Sequence, residues 1–152
     1  GVTVELIVRG ICCLKAGVPG LSEHISVHSI VGNYLEHARI FIFENDGSPE
    51  VYMGSADWMP RNLDRRVEIM FPVEDEHLKE EVIKILRVQL EDNVKAYILQ
   101  PDGTYEKIDK RGKTVICAQE YFCAETIRRT MDTLKTVDVK DTRIFTPVFS
   151  DK

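Results

Sequence analysis

Two apolar runs on either side of a turn cluster constrain this chain more than any other stretch. Ile40-Phe41-Ile42-Phe43 is followed by Asn45-Asp46-Gly47 and Ser48-Pro49, and then by Val51-Tyr52-Met53. Short β-type runs joined by Asn, Asp, Gly and Pro fold back as a hairpin, because those residues supply the backbone conformations that reverse the chain. Both ends of the hairpin carry chemistry. Upstream, His37 and Arg39 are two apart, so on an extended chain they project together, one titratable group beside one permanent cation. Downstream, Gly54-Ser55-Ala56-Asp57 offers a small pair whose backbone N–H groups can approach an anion. Arg61, Arg65 and Arg66 follow. Arginine forks suit phosphate, and a histidine can attack phosphorus or give a proton to a leaving oxygen. The stretch reads as equipment for phosphate.

The rest of the composition narrows this. A chain of 152 residues fits one domain with a real core. A net charge of -5 excludes polyanion binding by bulk charge, so an anion site has to be local. No apolar run is long enough to span a bilayer, and no signal peptide is visible. Cys12, Cys13, Cys117 and Cys123 match no zinc spacing and are expected to be free thiols in a reducing cytosol. There is no Walker-type glycine-rich loop, catalytic triad or metal signature. The chain opens at Gly1 within a strand-like run, which we read as a piece cut from a longer protein.

In chain order, Val2–Val8 predicts a strand buried on both faces, ending at Arg9-Gly10, where α/β proteins place ligand-contacting side chains. Residues 16–24 form a loop, and Ile25–Val31 a strand with His28 packed or solvated. Gly32–Glu36 has room for one helical turn. Trp58–Asp64 reads as a loop carrying Pro60. Arg65–Phe71 reads as a strand with Arg66 and Glu68 on a polar face and Val67, Ile69 and Phe71 opposite. Asp75 caps an amphipathic helix over Glu76–Leu90. Val94–Leu99 is a strand, Pro101-Asp102-Gly103 a turn, Thr104–Ile108 a short returning strand, and Asp109–Lys113 a solvated basic turn. A second helix covers Ala118–Leu134, with Tyr121 or Phe122, Ile127, Met131 and Leu134 on its core side. From Val137 on, a tail carries Ile144, Phe145, Val148 and Phe149 as apolar anchors. The fold class is mixed α/β (α+β): one central sheet holding Val2–Val8, Arg39–Phe43, Val51–Met53 and Val67–Phe71, flanked by the two helices.

The spacing His37-x-Arg39-x-x-x-x-Glu44, then Gly54-Ser55-x-Asp57, resembles the phospholipase D superfamily pattern of His-x-Lys-x-x-x-x-Asp followed by Gly-Ser-x-Asn. Arg stands for Lys, Glu for Asp and Asp for Asn, and these departures bear against phosphodiester hydrolysis. The runs LIVRGICCL (6–14), SIVGNYLEHARIF (29–41) and GSADWMPRNLDRRVE (54–68) resemble the C-terminal domain of bacterial polyphosphate kinase, which makes polyphosphate from ATP. The resemblance implies that residues 1–152 are the second of two phospholipase-D-like domains in a four-part chain. It implies that the terminal phosphate of ATP passes reversibly to a histidine on the other such domain and then to polyphosphate. It further implies that Arg9 contacts nucleotide phosphates and that His37 is a second essential histidine, binding phosphate and donating a proton. Arg39, Ser55, Arg61, Asn62 and Arg66 would line the polyphosphate channel.

Mg2+ is implied as cofactor, with no metal ligand in this chain. The implied partners are ATP or ADP, inorganic polyphosphate and the upstream domains of a homo-oligomeric full-length enzyme, with no nucleic acid and no membrane span. The implied location is the cytoplasm, with membrane association of the full-length enzyme. The isolated chain is expected to be inactive. One rival reading is half of a phospholipase-D-like phosphodiesterase or nuclease site, which needs two motif copies. The other is a non-enzymatic polyanion-binding module with a steep salt slope, against which stand the acidic charge and the few aromatics near the arginines.

Overall fold

A computed structural model describes residues 1–136. The expected apolar tail from Val137 lies outside the described residues. The elements in order are β1 (Val4–Ile7), β2 (Ile25–Ile30), β3 (Ile40–Phe43), β4 (Glu50–Gly54), α1 (Pro60–Arg65), β5 (Met70–Pro72), α2 (Glu76–Leu90), β6 (Ala96–Leu99), β7 (Tyr105–Lys107) and α3 (Ala118–Thr136). The content is mixed α/β, as the periodicities imply. The chain divides into two compact units, one running from Gly1 to Gln119 and the other starting at Glu120.

The first unit holds two sheets rather than the single one expected. One has the strand order β1-β2-β6-β7, the other β3-β4-β5. β1 lies parallel to β2, with Val4 opposite Ile25, while β2–β6 and β6–β7 are antiparallel. Apolar runs identify strands, but their partners are chosen by tertiary packing: β2 bonds to β6 across the whole intervening second sheet. The centre of the first sheet is Val27 and Ala96, both without exposed surface, and Ala16, Val27 and Leu99 pack with Leu6, Val8 and Cys12. All four cysteines are free thiols.

The hairpin forms as its residues dictate. Ile42 faces Val51 in the antiparallel register, and Val51 is buried. Between the strands Asn45, Asp46 and Gly47 all take positive φ (45°, 52° and 83°), the left-handed region that Asn, Asp and Gly tolerate best. Helix α2 packs on β3 and β4 and begins at the expected cap, the Asp75 carboxylate accepting from Leu78 N–H at 2.9 Å.

Three local expectations differ. Residues 60–65 form a short helix, because Pro60 occupies the first helical position, where its missing N–H costs nothing. The strand expected over Arg65–Phe71 is only Met70–Pro72, with Val67 99% exposed. A period-two pattern there marks an extended segment that no second strand covers. Pro72 sits on that edge opposite Tyr52, where a missing donor is tolerated. Gly32–Glu36 contains no helical turn. In the second unit, Ile127, Met131 and Leu134 of α3 are exposed rather than core.

Asp92, with no exposed surface, fixes how α3 starts. One carboxylate oxygen accepts from the N–H groups of Val94, Lys95 and Ala96, and the other from Ala118 N–H at 2.8 Å. Asn93 bonds both ways to the strand-like run before α3, through Thr114 and Ile116. Gln119 is thereby delivered to the segment preceding β3. No helix among the described residues is long and apolar enough to cross a membrane.

Candidate functional site

The site is assembled where the end of β1 meets the approach to β3. The ladder of β1 continues through Val8 N–H to His28 carbonyl at 2.8 Å, which carries Arg9 out past the sheet. There the Arg9 guanidinium donates from Nη1 to the carbonyl oxygen of Glu36 at 2.6 Å. Arg9 and His37, far apart in sequence, therefore lie one peptide from each other, and both are exposed.

Arg39 holds His37. Its Nε and Nη2 donate to Asp57 Oδ1 at 3.0 and 2.8 Å, and its Nη1 to the His37 carbonyl at 3.1 Å. The imidazole lies against the same guanidinium, with Nδ1 3.2 Å from Nη1 and Nε2 3.0 Å from Nη2. A guanidinium only donates, and only an unprotonated ring nitrogen accepts. At most one of these two contacts is therefore a hydrogen bond, and the other is a close approach. Three of the N–H groups of Arg39 go to Asp57 and the His37 carbonyl, and at most one more goes to the imidazole. The Arg39 side chain is only 17% exposed. Asp57 is held in turn by Asn62, whose Nδ2 donates to the Asp57 carbonyl at 3.1 Å. Asn62 is 4% exposed and its Oδ1 has no partner among the described residues.

The Gly54-Ser55 pair behaves differently from the sequence expectation. Gly54 N–H donates to the Arg39 carbonyl and Ser55 N–H to the Ile69 carbonyl, each at 3.0 Å. Strand β4 is central in its sheet, so neighbouring strands take both N–H groups and neither is left for an anion. Gly54 thereby ties the Arg39 backbone to one edge of β4, and Ser55 ties Ile69 to the other. Ser55 Oγ is bonded to the Glu68 carboxylate and accepts from Ile69 N–H at 3.0 Å.

Arg61, Arg65 and Arg66 are exposed and make no ion pair among the described residues. Trp58, 76% exposed, stacks on Phe41 with ring centroids 5.7 Å apart.

Beneath His37 lies a polar cluster that sequence reasoning missed. The Glu36 carboxylate accepts from Gln89 Nε2 at 3.0 Å and from Gln119 Nε2 at 2.8 Å. Gln119 also grips the Tyr34 backbone, accepting its N–H at 3.0 Å and donating to its carbonyl at 2.8 Å. No local signal could have found this cluster, since its members come from three distant stretches.

Arg9 and His37 are both exposed side chains. A depression of about 300 Å³ lies by the hairpin turn, lined by Asn45, Glu50, Tyr52 and Lys79, and another of about 280 Å³ lies along α3. Neither includes Arg9 or His37, which stand on open surface. Among the described residues no group of three or more His, Cys, Asp or Glu side chains could hold a metal ion. Burial lowers the pKa of His28, against an opposing pull from Glu5.

A family model described as polyphosphate kinase C-terminal domain 2 matches residues 1–119. The polyphosphate kinase of Lactiplantibacillus plantarum is 44% identical over 153 residues, covering all of this chain and 21% of that protein. Polyphosphate kinase 1 of Chlorobaculum tepidum is 50% identical over 140 residues, covering 92% of this chain and 19% of that protein. The crystal structure of polyphosphate kinase from Porphyromonas gingivalis superposes with a TM-score of 0.77 at 40% identity, covering 90% of this chain and 20% of that one. The chain thus spans about a fifth of the length of the relatives it matches.

Proposed function

The chain belongs to the polyphosphate kinase C-terminal domain family, and from that premise we propose that it supplies one half of the active site of an ATP–polyphosphate phosphotransferase. The reaction is reversible transfer of the terminal phosphate of ATP to inorganic polyphosphate, through a phosphohistidine on another domain of the full-length protein. The observation that supports this best is the exposed Arg9–His37 pair, joined through the Glu36 carbonyl. Phosphoryl transfer asks chiefly for positioning and charge neutralisation, and a guanidinium beside an imidazole offers both.

On this reading Arg9 binds nucleotide phosphates through the donors that Glu36 leaves over. His37 binds phosphate and donates a proton to the oxygen that leaves phosphorus. Arg39, with Asp57 and Asn62 behind it, sets the plane of the imidazole, and Ser55 lines the polyphosphate channel. Arg61 and Arg66, exposed and without an ion pair among the described residues, attract the polyphosphate chain. Mg2+ neutralises phosphate charge in such reactions, and its ligands are assigned to residues outside this chain. The open surface around His37 leaves the opposite wall to another domain. The partners are ATP or ADP, polyphosphate and the other domains of a homo-oligomeric, cytoplasmic enzyme.

The test is His37→Gln in the full-length protein. Retained fold with loss of most ATP-dependent polyphosphate synthesis is expected. Undiminished synthesis would remove His37 from the reaction.

A further inference from the structure

We infer that Glu36 is a positioning residue for the Arg9–His37 pair, and that Gln89 and Gln119 form the buried clamp through which it acts. Residues 31–39 belong to no strand or helix. The segment is tied to sheets at its ends, by Val31 N–H to the Lys95 carbonyl and by the Arg39 carbonyl to Gly54 N–H. Between those ties, side chains grip the backbone. Gln119 takes both polar groups of Tyr34, and Arg9 takes the Glu36 carbonyl. The residue carrying the proposed phosphate chemistry therefore sits on a stretch that sheet hydrogen bonding does not hold.

The clamp is chemically matched. A carboxylate only accepts and an amide nitrogen only donates, and each Glu36 oxygen faces one glutamine Nε2. Gln89 is 6% and Gln119 8% exposed, so these amides are desolvated and a mismatch there is costly. Both glutamines stand on helices, which hold a supported group more firmly than loops do. Gly32 leaves the space: a Cβ there would collide with the Gln119 amide. Both oxygens of Glu36 are thus engaged by glutamine amides. Its carbonyl meets Arg9 and its peptide continues into His37, so a shift of this one residue moves both proposed phosphate-binding groups.

The functional consequence rests on the proposed phosphotransfer reading, and the experiment separates the two. In the full-length protein, Q89E is isosteric but sets a carboxylate against the Glu36 carboxylate, a clash that no rotation of the group relieves. The double variant E36Q with Q89E restores complementarity, because the new amide at 36 then donates to the carboxylate at 89. The expected result is a fall in kcat for polyphosphate synthesis of roughly a hundredfold in Q89E, the scale of an ångström-sized misplacement, and recovery of most of it in the double variant. Backbone amide exchange over residues 34–38 should accelerate in the single variant and return towards wild type in the double. Unchanged exchange in Q89E overturns the positioning role. Equal impairment of both variants also overturns it. A wild-type full-length protein that makes no polyphosphate sinks the phosphotransfer reading alone, and the exchange measurement still decides on the clamp.

Discussion

Arg39 shows how a residue chosen for its charge can be used for its shape. Its planar fork spans Asp57 on one side and the His37 imidazole and carbonyl on the other. A lysine keeps the charge but has no fork to span them. We expect Arg39→Lys in the full-length protein to lower kcat about ten- to a hundredfold, the range for loss of a group that orients a reacting side chain, with little change in the nucleotide KM. A large KM change with kcat intact would place Arg39 on the nucleotide instead. Arg9, whose guanidinium keeps donors beyond the one given to Glu36, carries the opposite expectation. Arg9→Ala should weaken nucleotide binding by about 1.5–3 kcal/mol, the range for a hydrogen bond to a charged group, as read by titration calorimetry. An unchanged dissociation constant removes Arg9 from the site.

Among the elements, Asp92 holds two starts at once, those of β6 and α3. Asp92→Ala strands four buried or half-buried N–H groups. It should cost about 3 kcal/mol or more, at roughly 1–3 kcal/mol for each unsatisfied group after partial relaxation; denaturant titration measures it. A loss under 1 kcal/mol would mean that the turn re-forms without its carboxylate. In β2, burial holds the His28 pKa below its usual 6.5, so the unfolded chain binds that proton more readily than the folded one. His28 therefore contributes stability above about pH 6.5 that is lost as the pH falls through the folded value. His28→Gln should flatten the fall in Tm between pH 7.5 and 5. An equal fall in both proteins would show that other groups set it.

The same elements show what residues reveal by themselves. The hairpin, the Asp75 cap and α2 were legible because their signals are local: turn chemistry and a 3.6-residue period. Helix α1 was hidden by Pro60, which marks a loop or a first helical turn equally well. The alternation at Val67, Ile69 and Phe71 misled because alternation reports extension, not burial. At the site, the pairing of His37 with Arg39 could be read from their spacing on an extended chain, but the grip of Asp57 on Arg39 could not. The Glu36 clamp could not, since Gln89 and Gln119 reach it only through α2, Asp92 and the fold as a whole.

For the whole molecule, the chain carries one histidine–arginine unit on open surface and covers about a fifth of its relatives. Incubated alone with γ-labelled ATP, it should acquire no acid-labile phosphate, since removing a nucleophile costs orders of magnitude that binding groups do not restore. Stoichiometric label on His37 would make this half the acceptor. Sheet topology also sets an order in time. β3, β4 and β5 are neighbours in sequence and can close as soon as they are made, whereas β2 must wait for β6, with the whole other sheet emerging between them. Contacts of short sequence separation form first, and long loops delay the rest. In refolding, the amides of β3 and β4 should gain protection before those of β2 and β6. Arg9 and His37 would then be joined late, His37 standing at the mouth of an early hairpin and Arg9 on a strand that waits for its sheet.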